Sequence, residues 1–267
     1  MKLGNFAKAF APIIAVVMAA GVSGCDASNI KLNGEEGKPL AELDLTGAAP
    51  NELVLLGPDE VRVTTGDKLA ITVEGDDALK DQMRFTLKDG ALGILRKDKT
   101  FSGSDKAAIV NVTMPAPSEL VMAGSGKITA GALASTAKVT IAGSGQIETT
   151  AVQSDSLDVT IAGSGNYRAV GNVKSLKLTV AGSGSAAMDA LKADTVKVTI
   201  AGSGSTTFAS DGDVDATIMG SGDVTVKGRA RCQVSAMGSG KLTCENGATG
   251  KAAPAEPAEP AEPAAAE

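Results

Sequence analysis

The chain has 267 residues, with 25 Lys and Arg against 31 Asp and Glu, 32 Gly, and neither His nor Trp. Without His there is no imidazole base, no His metal ligand and no Ser-His or Cys-His nucleophile pair, which removes most hydrolase and zinc-site chemistry. A net charge of −6, no basic cluster and few rings to stack bases speak against nucleic-acid binding.

Residues 1–24 read as a bacterial export signal: Lys2 and Lys8 form a basic start, an apolar run extends from Ala9 to Val22, and no acid interrupts it. The run is shorter than the roughly 20 residues a membrane-spanning helix needs. It ends in Val22-Ser23-Gly24-Cys25, which resembles a lipobox and implies a lipidated Cys25 as first mature residue. The alternative is an ordinary secretory signal with a Cys nearby. Cysteine arithmetic favours the lipid, because lipidating Cys25 leaves Cys232 and Cys244 as a single pair in an oxidising compartment. Removing the signal leaves 23 basic against 31 acidic residues, a charge of −8, so acyl chains rather than attraction to an anionic bilayer would hold the protein. Residues 25–39 then form a lipid-anchored linker.

Between residues 40 and 120, strands are predicted at Asp59–Thr65, Leu69–Glu74, Met83–Leu87, Ala91–Arg96 and Ile109–Met114, with irregular spacing and a polar loop at 98–106. This stretch reads as an irregular β portion that caps the regular repeats downstream of it, since an open sheet edge there would invite aggregation.

From residue 121 to 247 the pattern becomes periodic. Gly-Ser-Gly begins at Gly124, Gly143, Gly163, Gly182, Gly202, Gly220 and Gly238, at spacings of 19, 20, 19, 20, 18 and 18 residues. A near-constant period of this size marks a solenoid. Counting from the first Gly, positions −6, −4 and −2 are apolar, as in Leu157, Val159 and Ile161, and the positions between are polar, as in Asp158 and Thr160. Such alternation specifies a strand with one buried face. A second, weaker strand comes after each triplet, with Ile128, Ile147, Tyr167, Val224 and Leu242 inward at +4. A unit of 18–20 residues cannot also hold a crossover helix, so the strands stack copy on copy as an all-β, right-handed parallel β-helix of about seven coils. The segment 248–267, rich in Pro-Ala-Glu, is an acidic extended tail with nothing to bury.

The irregular portion ending in Thr113-Met114-Pro115, succeeded by strand-Ala-Gly-Ser-Gly coils, resembles the head GIN domain family of auto-transporter adhesins over Leu43 to Gly247. The resemblance implies an exported β-helix on the bacterial envelope and brings no catalytic residue with it. No membrane-barrel segment is read after the repeats, so self-transport is not expected.

The remaining motifs are weaker. Gly126-Lys127 and Gly240-Lys241 lack the other positions of a phosphate loop, and Ser135-x-x-Lys138 lacks its partner motifs. Asp211, Asp213 and Asp215 alternate along a strand, which would put three carboxylates on one face as a weak calcium candidate, against a solvated strand face as the simpler reading. The −3 column, Thr140, Thr160, Thr179, Thr199, Thr217 and Ser235, forms an outward hydroxyl ladder. Its structural reading is Thr stacking between strands; its functional reading is docking of a repetitive glycan or a partner strand. Cys232 and Cys244, at −6 and +6 around Gly238, both point inward and are expected to close the last coil with a disulfide, the alternative being two small buried thiols. No cofactor is expected. The reading is a non-enzymatic, lipid-anchored envelope module for adhesion or scaffolding, facing the periplasm or the cell surface, with an envelope polysaccharide or protein as partner. A carbohydrate-active β-helix enzyme and an envelope-stress sensor subunit are the alternatives.

Overall fold

Alternation of apolar and polar residues makes strands, and the fixed repeat makes them stack. The computed structural model of the chain describes residues 31–32, 35–97, 106–245 and 248–251. The expected signal segment, Cys25 and the tail beyond Lys251 lie outside them. In chain order the strands are β1 (Lys31–Leu32), β2 (Glu35–Glu36), β3 (Glu52–Gly57), β4 (Glu60–Thr65), β5 (Ala70–Glu74), β6 (Met83–Lys88), β7 (Ala91–Arg96), β8 (Ile109–Met114), β9 (Glu119–Gly124) and β10 (Lys127–Ala130). They continue with β11 (Thr136–Gly143), β12 (Gln146–Gly163), β13 (Asn166–Gly182), β14 (Ser185–Gly202), β15 (Ser205–Gly220), β16 (Asp223–Lys227), β17 (Arg231–Gly238), β18 (Lys241–Cys244) and β19 (Ala248–Lys251). A short helix, Asp77–Gln82, is N-capped by Asp76, whose carboxylate accepts from the Leu79 amide at 2.9 Å.

The repeats form a parallel β-solenoid. Each long strand from β12 to β15 runs from one Gly-Ser-Gly corner round a second, bent corner to the next, and pairs with its copy in the neighbouring coil without a slip at the glycines. The −2 residues Met122, Ile141, Ile161, Val180, Ile200 and Ile218 stack in register and are fully buried. Full burial of each such side chain stabilises by roughly 1.5–3 kcal/mol before entropy. The few inward polar groups find partners: Thr149 Oγ1 bonds the Tyr167 hydroxyl at 2.8 Å, and Thr206 Oγ1 donates to the Ala186 carbonyl at 3.2 Å.

The two glycines of a corner serve different needs. Gly182 has φ +123°, and a Cβ there would also meet the Gly163 carbonyl oxygen at 2.5 Å. Gly184 has no positive φ, but a Cβ would stand 2.5 Å from Ile161 Cγ2 and 2.7 Å from the Gly165 oxygen. Between them Ser183 is exposed and contributes only its backbone, donating N–H to the Gly163 oxygen at 3.0 Å.

The segment before the repeats is more ordered than its spacing suggests. Strand β3, which lacks the alternation of a half-buried strand, lies in register on β9, so that Leu53 meets Leu120, Leu55 meets Met122 and Gly57 meets Gly124. Gly57, with φ +131°, Pro58 and Asp59 replace the Gly-Ser-Gly corner, and β4 pairs parallel with β10. On the far side β7 pairs with β3 and β8 with β4. Two further coils thus underlie the seven glycine corners, and the β7–β8 coil, later in sequence, lies outside the β3–β4 coil. Finally β6 runs antiparallel to β7, and β5 antiparallel to β8, which closes this end. The outer face of β7 is buried as well, under a strap that bridges Lys38 to Phe85, makes the 3₁₀ turn Leu40–Glu42 and packs Leu40, Leu43 and Leu45 onto the core.

One buried ion pair ties this out-of-sequence stacking together. Arg96, at an inward position of β7, donates to both oxygens of Asp59, at 2.9 and 2.5 Å, and Asp59 also accepts the Ala108 amide at 2.9 Å. Both side chains are essentially inaccessible, so loss of either partner would strand a buried charge.

Replacing Gly182 or Gly184 by Ala is expected to destabilise by about 1–3 kcal/mol each, the first through backbone strain and the second through overpacking. Ser183→Ala should change stability by less than about 0.5 kcal/mol. Thermal melts of the three variants check this, and equal melting points would refute the division of labour.

Candidate functional site

The coil stacking turns each outward sequence position into a column. On the face formed by β9, β11, the second halves of β12 to β15, and β17, three columns run side by side. The −1 column is Ala142, Ala162, Ala181 and Ala201, ending in Met219 and Met237, of which Met237 is 76% exposed. The −3 column is the Thr ladder, with Thr140 beside Thr160, Thr179, Thr199, Thr217 and Ser235 in consecutive register. The −5 column carries charge: Glu52, Glu119, Lys138, Asp158, Lys177, Lys197 and Asp215. Neighbours in a column are one strand spacing apart, about 4.8 Å.

The ladder is not uniformly outward. Thr140 is buried and its hydroxyl has no hydrogen-bond partner, Thr160, Thr179 and Thr199 are half-buried, and Thr217 is exposed. The column beneath Thr140 continues as Val121 and Val54, so the face turns apolar towards the strapped end. The accessible hydroxyl ladder therefore spans Thr160 to Ser235.

Within the −5 column, Glu119 lies between Glu52 and Lys138. Burial pushes its carboxyl above the usual value and the Glu52 carboxylate adds to this, while Lys138, 3.7 Å away, pulls the other way.

The second corner has a different character. Register slips at Thr149/Val152, Arg168/Val170 and Met188/Lys192 absorb the differing coil lengths there. Its carboxylates are matched by cations: Asp155 with Lys174 at 2.6 Å, Asp211 with Lys192 at 2.7 Å, and Asp213 with Arg231 through two bonds of 2.7 and 3.0 Å. Hydrogen bonds from these partners hold all three carboxyls below the usual carboxylate range. Asp155, Asn172, Lys174, Lys192 and Asp194 surround a shallow depression of about 240 Å³. Each ion pair is solvent-exposed and contributes little by itself.

The aspartate trio departs from its expected geometry. Asp211 and Gly212 fall in a bulge between the pairs Ala193–Ser210 and Thr195–Asp213, so alternation breaks and Asp211 leaves the line of Asp213 and Asp215. Asp211 accepts from Lys192 and the Arg229 amide, Asp213 from Arg231, and Asp215 stands in the −5 column beside Lys197. No group of three or more candidate metal ligands occurs among the described residues. Cys232 and Cys244 are joined by a disulfide across the last coil, Cys232 stacked on Val214 and Cys244 on Val226. Cys25 lies outside the described residues. The Asp59–Arg96 pair escaped sequence reasoning, because 37 residues separate its members and only the out-of-order stacking joins them.

These features define a class: a side-chain-filled parallel β-solenoid, capped at one end and presenting repetitive outer columns. A family model described as "Putative auto-transporter adhesin, head GIN domain" matches residues 49–230, and the chain belongs to that family. No curated protein matches the sequence. Among solved structures, a "putative adhesin" from Bacteroides fragilis is similar with a TM-score of 0.66 and 18% identity, over 73% of this chain and 92% of that one. A "putative lipid binding protein" from Parabacteroides distasonis is similar with a TM-score of 0.58 and 23% identity, over 74% and 94%. At these identities the likeness shows the fold.

Glu119→Gln should stabilise at pH 7, because the folded state holds this proton more tightly than the unfolded chain and wild type loses that contribution as pH rises through the raised carboxyl value. The gain should vanish on acidification below the unfolded carboxylate value; a pH series of melts on the two proteins reads the difference. Reducing the disulfide, which closes a loop of about a dozen residues worth roughly 3 kcal/mol in the chain-entropy model, should loosen the last coil first. Hydrogen exchange should then rise in β17 and β18 before β13 and β14, and uniform protection would refute the capping role.

Proposed function

We propose that the protein is a non-enzymatic adhesion or scaffold module of the bacterial envelope, anchored by lipid on Cys25, whose ladder face docks a repeating polymer. The observation that carries this reading is the in-register run Thr160, Thr179, Thr199 and Thr217 beside a column of alanines. It offers a hydroxyl at every strand spacing next to a strip of small side chains, which suits an extended ligand with its own short repeat, such as an envelope polysaccharide. Family membership and the adhesin-like fold support the same reading.

A glycoside hydrolase would need two carboxyls facing each other across a cleft at about 5–10 Å. Here Asp155, Asp158, Asp211 and Asp213 each face a Lys or Arg. A buried lipid site would need an apolar cavity, whereas the depression at the second corner is polar and shallow and the coil interiors are filled by Leu, Val, Ile, Met, Phe208 and Tyr167.

The anchor sets an orientation. Lys31 is only six residues on from Cys25, a reach of about 20 Å, so the capped end sits near the bilayer and the glycine-cornered coils project outward. Detergent-phase partitioning with intact-mass analysis should find wild type lipidated and Cys25→Ser water-soluble; an unmodified, soluble wild type would remove the anchor. Cosedimentation of the Cys25→Ser chain with polysaccharide from its own envelope should fall at least tenfold when Thr160, Thr179 and Thr199 are all changed to Lys. Unchanged binding by a folded triple variant would refute the face.

A further inference from the structure

Strand β13 closes its coil with one residue fewer than the coils on either side. The Gly-Ser-Gly spacings run 20, 19 and 20 residues through β12, β13 and β14, and the strand register places the difference at the second corner. Thr150 and Ala151 of β12 stand against Val170 alone, and Met188 and Asp189 of β14 stand against Ala169 alone. The short coil runs tight there: Gly171 has φ +133°, and a Cβ on it would lie 2.0 Å from the Val152 carbonyl oxygen. The depression of about 240 Å³ opens directly after this step, over all three strands.

Its polar side chains form two short rows. Gln153, Asn172 and Lys192 are in register across the strands, and Asp155, Lys174 and Asp194 are the next exposed positions along them. Three of the six are committed. Asp155 holds Lys174 at 2.6 Å and accepts from the Ser135 hydroxyl at 2.5 Å, and Lys192 binds Asp211 at 2.7 Å. The side chains of Gln153, Asn172 and Asp194 make no hydrogen bond or ion pair among the described residues. Asp194 acts on this group only through its charge, which helps Asp155 keep the Lys174 ammonium protonated.

We propose that this depression binds a single neutral sugar unit through its hydroxyls, with the Gln153 and Asn172 amides and the Asp194 carboxylate as its contacts. The uncommitted groups select that chemistry. An anion would face Asp155 and Asp194 with both lysine charges already taken. An ammonium ligand would satisfy Asp194 and leave the amide N–H groups unused. A hydroxyl both donates and accepts, as a side-chain amide does, and a carboxylate accepts only. Neighbouring ring hydroxyls therefore match two amides one strand spacing apart, with a third hydroxyl donating to Asp194.

Size and rigidity agree with this ligand. The volume lies below that of a site for a drug-sized molecule, so it takes one ring rather than a chain. The floor is already ordered: Val173 is buried, and buried Ser154 donates to the Ala134 carbonyl at 2.7 Å. Little further ordering is needed on binding. Three hydrogen bonds in an open site, one of them to a charge, correspond to a dissociation constant on the order of millimolar. The site uses none of the ladder residues, so it stands apart from the docking of a polymer on that face.

The test uses the full chain carrying Cys25→Ser and, as probes, the methyl glycosides of glucose, galactose and mannose, with glucuronate and glucosamine as charged counterparts. Saturation-transfer NMR should detect at least one neutral glycoside binding at millimolar concentration, and glucuronate at least fivefold more weakly. Asn172→Ala and Asp194→Ala should each weaken the neutral glycoside at least fivefold with unchanged melting points, since both side chains are exposed. The triple change of Thr160, Thr179 and Thr199 to Lys should leave it unaltered, which separates this site from the ladder. Absence of transfer to every neutral glycoside at ten times the expected constant would overturn the proposal. So would binding that both alanine variants retain, or glucosamine binding more tightly than the neutral glycosides, which would make the depression an ammonium site.

Discussion

The backbone of one coil touches the backbone of the next at the Gly-Ser-Gly corner, and the rest of the molecule is organised around that contact. At Gly143, Gly163, Gly182, Gly202, Gly220 and Gly238 a Cβ would lie within 2.6 Å of the preceding coil's carbonyl oxygen, so a side chain at any of them would push two coils apart. Because the corners meet without slip, each strand leaving them starts in register with its copy. The apolar columns are then continuous through the core, and the outward columns are continuous on the surface. Packing and surface pattern therefore come from one local steric condition rather than from many independent choices.

The constraint explains why the early coils fit even though they enter out of order. Gly57 supplies the positive φ of a corner glycine, and Asp59 occupies the place of the second glycine with a side chain that turns to Arg96 instead of into the stack. A charge at that place must be paired, and the pairing fixes which coil lies beneath. The ion pair is expensive to bury, and what it supplies is order: β7–β8 is held under β3–β4 although the chain reaches it later.

The repeats were legible in the sequence because strand alternation and corner glycine are both local signals, read off Leu157, Val159 and Ile161 or Gly182 and Gly184 without knowing the partner. The disulfide was legible for the same reason, since Cys232 and Cys244 inherit the inward positions of Val214 and Val226 in the coil before. Strand β3 was not, because Leu53-Val54-Leu55-Leu56 is apolar on both faces, outer Val54 and Leu56 being half-buried as well as inner Leu53 and Leu55 fully so. Nor was the burial of Thr140, whose column continues as Val121 and Val54 where the later coils carry Thr. Asp211 departed from its expected line at a bulge, where period-two counting fails by construction.

The two corners divide the labour between constancy and variation. Coils of 18, 19 and 20 residues all close, and the difference is taken up by slips on the far side of the coil from the glycines. Residues there are exposed and held by surface ion pairs, so gaining or losing one costs little. The ladder face lies immediately before the rigid corner and is insulated from those changes, which keeps Thr160, Thr179, Thr199 and Thr217 aligned whatever the length of the coil between them. A surface meant to meet a regularly repeating ligand has to hold its spacing, and in this solenoid only the faces anchored at the glycine corner can do so.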